Sequence, residues 1–378
     1  MPRMPQRATK RGQERTPLDR DCDVLICGAS FGGLAVAREL ASAGAEVLVV
    51  DRYEIGERQT SACGIPTDWL YALDLQDSLQ QTFAQLVIHT PHATARFDLP
   101  WTFSTFDYRA LCGLLADQGS FEFETATVNG RTGHTVHTDR GDIRSQLIVD
   151  ALGWRRVLGS GEPIQPPDAF LSRGLEVHPL GSGQELEVWI DRSYVPAGYA
   201  WSFPAENEVR VGVGSFEPRF HVKEPTVRLA SDLDRDAIRY QGNWIPHRIR
   251  RAAEDGVFFV GDSAGHCLPL TAEGIRTAFY FGLAAGRELK NVISERLTAQ
   301  QALAAYGNFS AAHSRRFEWM LRVQRLIPHV PPRLLGPALR GMQRKRFVDW
   351  AFGHYLEIAH PRFAAAGSLS PARAAVAA

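Results

Sequence analysis

Apolar runs and alternating stretches divide this chain into blocks, and the first block is the sharpest. Residues 24–27 (VLIC) make a short unbroken apolar run, the pattern of a strand buried on both faces. The turn Gly28-Ala29-Ser30-Phe31-Gly32-Gly33 follows. Leu34, Ala35, Leu40 and Ala41 then fall at helical spacing around Arg38 and Glu39, and Gly44 stands where a left-handed residue closes a helix. A second apolar run at 47–50 ends on Asp51. The pattern predicts strand, tight turn, helix and parallel strand in close succession.

Further along, the period changes. Residues 52–66 read as a polar loop carrying Cys63-Gly64-Ile65-Pro66, and 67–82 as helical. Leu86, Ile88, Ala95, Phe97 and Leu99 alternate as strands do, while Leu111, Leu114 and Leu115 place 106–118 on a helix. Residues 121–149 predict short strands with turns at Asn129-Gly130 and Arg140-Gly141, closing on Leu147-Ile148-Val149 before Asp150. Gly, Pro and Ser crowd 160–168, which marks a domain crossing. From 169 to 245 the pattern is mostly β, with runs at 186–190, 200–203 and 209–213. A buried strand returns at 256–260, and 273–355 is predominantly helical.

The expected fold class is α/β: a Rossmann-like dinucleotide domain with an inserted, mostly antiparallel β substrate domain and a C-terminal helical segment. The expected boundaries are 21–64, 103–159 and 247–300 for the first, 65–102 and 160–246 for the second, and 301–362 for the helices. Residues 1–20, polar and basic, and 363–378, rich in Ala, Pro and Ser, read as disordered.

Composition excludes several classes. Apolar content of 44% and charged content of 22% are those of a globular protein, and a formal net charge of zero gives no global field for nucleic acid. The five cysteines (Cys22, Cys27, Cys63, Cys112 and Cys267) are odd in number and scattered, without metal-ligand spacing. Neither a disulfide framework nor a metal site is expected, and a reducing cytoplasm is the expected compartment. No apolar stretch is long enough to span a bilayer, and the first 20 residues lack the apolar core of a secretory signal.

The chemistry begins at the first block. Gly28 lets the chain turn sharply out of its strand, and small residues let backbone N–H groups approach a pyrophosphate at the positive end of a helix. Gly33 permits close helix–strand packing, and Asp51 can accept hydrogen bonds from a ribose diol. Ser30 replaces the second glycine of the usual pattern; it is small, and its hydroxyl can itself face a phosphate. A second motif, Gly261-Asp262-Ser263-Ala264-Gly265, follows the strand at 256–260 and precedes the helix that begins near Gly274. Asp262 at the rim of a sheet can bind a polyol, and the helix start aims N–H groups and a positive dipole at its surroundings.

Together these motifs resemble the p-hydroxybenzoate-hydroxylase-like flavoproteins over residues 23–286. The resemblance implies FAD as the cofactor, held at Gly28, Ser30, Phe31, Gly32, Gly33, Asp51, Arg52, Arg109, Asp262, Gly274 and Ile275. Within that superfamily, Gly198-Tyr199-Ala200-Trp201-Ser202-Phe203-Pro204, with Gly212 and Gly214 beyond it, is similar to the G-Y-x-W-x-F-P segment of the geranylgeranyl reductase family. Pro269-Leu270-Thr271-Ala272-Glu273-Gly274-Ile275 is similar to that family's PLTGEGI, with Ala272 in place of a glycine. Cys63-Gly64 falls where the family carries a Cys-Gly pair facing the flavin.

That likeness implies hydride transfer from reduced FAD to isolated C=C bonds of a prenyl or isoprenoid substrate. Electrons would come from NAD(P)H or a ferredoxin-like donor. Tyr199, Trp201, Phe203 and Pro269 would wall the substrate cavity. Cys63 is the candidate proton donor, its other reading being a small buried hydrophobe. His266 reads as either a proton-transfer group or a packing histidine. The runner-up is an FAD-dependent monooxygenase acting on a small apolar or aromatic compound. A halogenase is disfavoured because no lysine occurs between Lys10 and Lys223, and a non-catalytic flavin-binding protein is the remaining alternative. The expected partners are an apolar small molecule or prenyl lipid, with no nucleic acid. The Arg- and aromatic-rich segment 313–355 reads as capping helices or as a peripheral contact with membrane.

Overall fold

The computed structural model describes residues 16–59, 61–160 and 171–365. Disorder expected at 1–15 and 366–378, and the crossing expected at 161–168, lie outside the described residues. In chain order, strand β1 (Arg20–Cys27), helix α1 (Phe31–Glu39) and β2 (Val47–Asp51) are followed by β3 (Gly64–Pro66) and α2 (Thr67–Ala72). Next come β4 (Leu79–Thr90), β5 (Ala93–Phe106), α3 (Tyr108–Asp117), β6 (Glu122–Thr125), β7 (Val128–Thr132), β8 (Thr135–Thr138) and β9 (Gly141–Asp150). The second half holds β10 (Leu171–Val177), β11 (Leu186–Trp189), β12 (Gly198–Ala205), β13 (Glu208–Ser215), α4 (Lys223–Asp232) and β14 (Gln241–Pro246). After β15 (Ala253–Glu254) and β16 (Val257–Phe259), the chain is helical: α5 (Ile275–Ile293), α6 (Ala299–Ala311), α7 (Ser314–Leu326), α8 (Pro332–Met342), α9 (Lys345–Leu356) and α10 (Arg362–Ala365).

Two sheets organise the molecule. The first runs β15-β16-β9-β1-β2-β6, with β16, β9, β1, β2 and β6 parallel and the β7–β8 hairpin appended to β9. β1 is central, flanked by Val47 beside Val24 on one side and Leu147 on the other. That placement accounts for its unbroken apolar run: Val24, Leu25, Ile26 and Cys27 are all fully buried. Helix α1 crosses α5 closely because the contact is made of small residues. A Cβ on Gly282 would stand 2.7 Å from Gly32 O and 2.8 Å from Ala35 Cβ.

The second sheet, β14-β10-β13-β12-β11-β4-β5-β3, is antiparallel except for the β11–β4 pair. Its β4–β5 hairpin is covered by the C-terminal helices, where Ala95 and Phe97 pack with Leu339 and Val348. The fold is thus the α/β class expected, a Rossmann-like sheet joined to a mostly antiparallel one and capped by helices.

Local differences have physical causes. The helix expected over 67–82 stops at Ala72, because Asp74 takes a left-handed conformation (φ 55°) and Leu75 N–H turns back to Leu70 O at 2.7 Å. β4 then begins at Leu79, and β5 carries its strand on to Phe106, pairing Ser104 with Ile65 in the second sheet. Asn129-Gly130 is not a turn but a bulge inside β7; the reversal falls at Gly133 (φ 58°). At the ends, Leu18 is buried and donates its N–H to Arg140 O at 2.7 Å, and Phe363 and Ala364 are buried. These apolar side chains anchor segments that polar composition marked as disordered.

Candidate active site

The first motif builds a cradle at the C-terminal edge of the parallel sheet. Gly28 turns with φ 113°, and a Cβ there would overlap Ala151 O of the neighbouring strand's exit. A Cβ on Gly33 would overlap Gly28 O and lie 3.2 Å from Ile26 Cγ2, so only glycine lets α1 start this close to β1. Ser30, by contrast, is extended (φ −113°), and that is why a serine is accommodated where the pattern has glycine. Its hydroxyl makes no capping bond to α1 and lies 3.2 Å from Tyr108 Oη. The first N–H groups of α1 therefore keep no side-chain cap and open on the cavity, which Ser30, Phe31 and Gly32 line. Asp51 is held by the turn it serves: Ala29 N–H donates to Oδ2 at 2.8 Å and Tyr53 N–H to Oδ1 at 3.0 Å. Each oxygen keeps a lone pair for a further donor.

The second motif faces the same space. Asp262, Gly274 and Ile275 line it, and a Cβ on Gly274 would stand 3.6 Å from Asp262 Oδ1. Desolvation pushes the Asp262 carboxyl up to about 6, with Arg250 pulling the other way. A polyol donor would relieve that cost. Gly274 caps α5 without any side-chain bond, so a second helix N-terminus, on a 19-residue helix, opens on the cavity. The approach loop is strained: Leu270 (φ 71°) and Ala272 (φ 53°) are left-handed non-glycine residues, as is Cys63 (φ 51°) across the cavity wall.

The cavity itself measures about 1220 Å³, more than the roughly 300–1,000 Å³ of an ordinary small-molecule pocket. From the two helix starts it runs past Tyr199, Trp201 and Phe203 to Leu86, Ile88, Phe97 and Leu99, then to Trp319, Met342 and Trp350 of the C-terminal helices. Tyr199 Oη donates to Thr271 O at 2.6 Å and ties the second sheet to the strained loop. Trp201 lies flat over glycines: Gly214 would bring a Cβ to 3.3 Å of its ring and Gly174 to 3.9 Å, while at Gly212 a Cβ would collide with it. Its indole N–H donates to Glu176 at 3.3 Å.

Several expected residues stand elsewhere. Gly28 and Gly33 lie behind the cavity wall, where they shape it. Arg109 is exposed on α3 and packs over Gly56; the arginines on the wall are Arg52, Arg58, Arg155, Arg315 and Arg316. Pro269 is buried beside the cavity, and its successors Leu270, Thr271 and Ala272 line it. Cys63 is fully buried: Ser61, Ala62 and Gly64 line the cavity, whereas the Cys63 thiol turns into the core and donates to Ser61 O at 3.2 Å. Burial raises its pKa well above that of a free thiol. Cys63, expected as the proton donor, is thus not among the residues that line the cavity. His266 is also fully buried, stacked on Phe281 at 3.7 Å and bonded to Ser310 Oγ at 2.8 Å, and burial holds it neutral. It is a packing histidine. Sequence reasoning missed Tyr108, Arg58, Arg155 and Glu176 on the wall.

The residues present fit FAD. Two uncapped helix starts, a glycine cradle at one and a desolvated carboxylate at the other suit a pyrophosphate, a pyrimidine edge and a polyol. The FAD binding domain family matches residues 21–83. Digeranylgeranylglycerophospholipid reductase 3 of Methanosphaera stadtmanae is 23% identical over 335 residues, covering 78% of this chain and 83% of that protein. Digeranylgeranylglycerophospholipid reductase 2 of Methanopyrus kandleri is 24% identical over 360 residues, covering 85% and 91%. The crystal structure of a geranylgeranyl bacteriochlorophyll reductase-like protein from Thermoplasma acidophilum superposes with a TM-score of 0.77 at 18% identity, over 91% of this chain and 98% of that one. With the Gly28–Gly33 cradle, the Tyr199–Phe203 strand and the loop at 269–275 arranged around one cavity, the chain is an FAD-dependent oxidoreductase similar over most of its length to these geranylgeranyl-type reductases.

Proposed function

We propose that this chain is a cytoplasmic reductase of isolated C=C bonds in a prenyl or isoprenoid substrate, drawing electrons from an external NAD(P)H or ferredoxin-like donor. The observation that carries the reading is the cavity: it continues from the cofactor cradle into a wall of Leu86, Ile88, Phe97, Leu99 and Trp101, room for a long apolar chain beside FAD. Bound FAD supplies the hydride. The chain supplies the rest. The start of α1 would hold the phosphates, and the start of α5 would favour negative charge on the group beside it. Trp201, held flat by Gly174, Gly212 and Gly214, gives the alkene a rigid apolar face and excludes water. Under anaerobic conditions, mixing the reduced holoenzyme with a prenyl substrate should restore the oxidised flavin spectrum. An unchanged spectrum counts against the reading.

The substrate's route is the C-terminal helices. Residues 314–346 carry nine basic side chains and one acid, a net of +8 in a chain whose total is zero. Trp319 and Trp350 are more than half exposed and also line the cavity, so its mouth opens where cation and aromatic mix. Among the described residues no helix is long and apolar enough to cross a membrane. The surface instead suits peripheral contact with anionic lipid. The protein should sediment with phosphatidylglycerol vesicles and not with phosphatidylcholine vesicles, and Trp319→Ala with Trp350→Ala should weaken that binding at least ~10-fold. Equal recovery with both lipids would remove the membrane from the account.

A further inference from the structure

The cavity wall contains a carboxyl that the apolar substrate space does not require. Glu176 on β10 lines the cavity yet is almost fully buried, and its two oxygens are engaged differently. Oε2 accepts the Trp201 indole N–H at 3.3 Å, a long bond; Oε1 faces His178 Nε2 at 2.8 Å. His178 is buried too, and its Nδ1 lies 3.7 Å from Glu208 Oε1. Glu208 is the more exposed end: it pairs with Arg210 at 3.1 Å and with Arg239 at 3.0 Å, and its side chain is 19% accessible. Arg210, buried, donates in turn to Ala62 O at 2.8 Å and Cys63 O at 3.4 Å, joining this row to the loop that forms the opposite wall. A carboxyl at the cavity, an imidazole behind it and an acid reaching solvent make a continuous line across the second sheet.

From this geometry we infer that Glu176 is the catalytic acid of alkene reduction, recharged from solvent through His178 and Glu208. The inference rests on the reductase reading above. An isolated alkene has no group to delocalise charge, so the carbon opposite the hydride requires a positioned proton. One alkene carbon receives the hydride; the other takes the proton of Glu176 as the π pair forms the new C–H bond. Glu176 is left as a carboxylate. His178 returns a proton from Nε2, and one proton from water, entering beside Glu208, restores His178. The sum is one hydride, two electrons and a proton, from reduced FAD and one further proton from solvent. The indole bond fixes the carboxyl's rotamer against the same ring that faces the substrate, and the thiol of Cys63, turned into the core, leaves the role to Glu176.

The test uses holoenzyme, geranylgeraniol and the matching primary amine. Glu176→Gln should keep its FAD and its melting temperature while single-turnover reduction of the alcohol falls at least ~100-fold, and formate should restore part of the rate as Glu176→Asp does. A second readout needs no turnover: the oxidised wild type should bind the amine about 10-fold tighter than the alcohol, and Glu176→Gln should bind both alike. A Glu176→Gln enzyme that holds FAD and reduces the alkene at the wild-type rate overturns the proposal. Equal affinity of the wild type for amine and alcohol does so as well, and needs no variant to fold. A wild type that prefers the amine yet never reduces the alcohol would instead sink the reductase reading while leaving Glu176 at the cavity.

Discussion

Replacing Gly33 with alanine should yield protein that purifies without flavin. The added Cβ would overlap Gly28 O and press on Ile26 Cγ2 at 3.2 Å, and both belong to the strand and turn that form the cradle. Neither neighbour is a flexible side-chain tip. Relief must come from moving the start of α1 off β1, at a cost of about 1–3 kcal/mol in packing, and that motion withdraws the N–H groups meant for the phosphates. The expected loss of FAD affinity is at least ~100-fold, because charge-assisted bonds to several N–H groups fail together. Gly113→Ala is the control: its Cβ meets nothing within 4 Å on α3 and should leave flavin content unchanged. Absorbance ratios of flavin to protein decide the matter. A Gly33→Ala protein with a full complement of FAD would show that the cofactor sits elsewhere.

The largest effect on stability is expected at Arg276. Its guanidinium is fully buried, 2.7 Å from Glu273, and donates to the carbonyls of Tyr355 (2.9 Å), Leu356 (3.0 Å) and Ala359 (3.3 Å). It also lies 4.3 Å over the Tyr355 ring, while Tyr355 Oη bonds Thr271 Oγ1 at 3.0 Å and Glu273. One side chain therefore joins the end of α9 to the loop that leads into α5. Arg276→Ala leaves the buried Glu273 carboxylate without its cation and strips a donor from three carbonyls, which costs about 3–5 kcal/mol. The loop at 270–274, already strained, loses its brace, so bound FAD should dissociate faster in the variant. Thermal or urea unfolding of holoprotein measures the first effect and flavin release the second. A stability change below about 1 kcal/mol would mean that the helices are held by their apolar contacts alone.

Much of this was legible in the chain because it is local. The cradle from Gly28 to Asp51 is one strand–turn–helix–strand unit, so its roles follow from contiguous residues and need no tertiary information. The alternation of Tyr199, Trp201 and Phe203 puts all three on one face of β12, and the glycines of the Val211-Gly212-Val213-Gly214 run leave room for the indole that lies over them. What sequence could not give was register between distant strands. Glu176, Glu208 and Arg210 meet only because β10 and β13 pair Glu176 with Gly212, two residues from Arg210. Nor did spacing show that Cys63 would take a left-handed backbone and be fully buried. Arg109 was placed by its position at the start of α3, yet the helix turns it to solvent and presents Tyr108 to the cavity instead.

The central claim is alkene reduction, and product analysis in deuterated water tests it most directly. Reduced holoenzyme is mixed with a prenyl substrate in the presence of air, and the product is weighed. The account predicts saturation of a double bond, with two hydrogens gained, both carrying solvent deuterium because the N–H of a reduced flavin exchanges with water before transfer, and no oxygen incorporated. A product that gains one oxygen atom and keeps its double bonds would contradict the account and make the chain a monooxygenase.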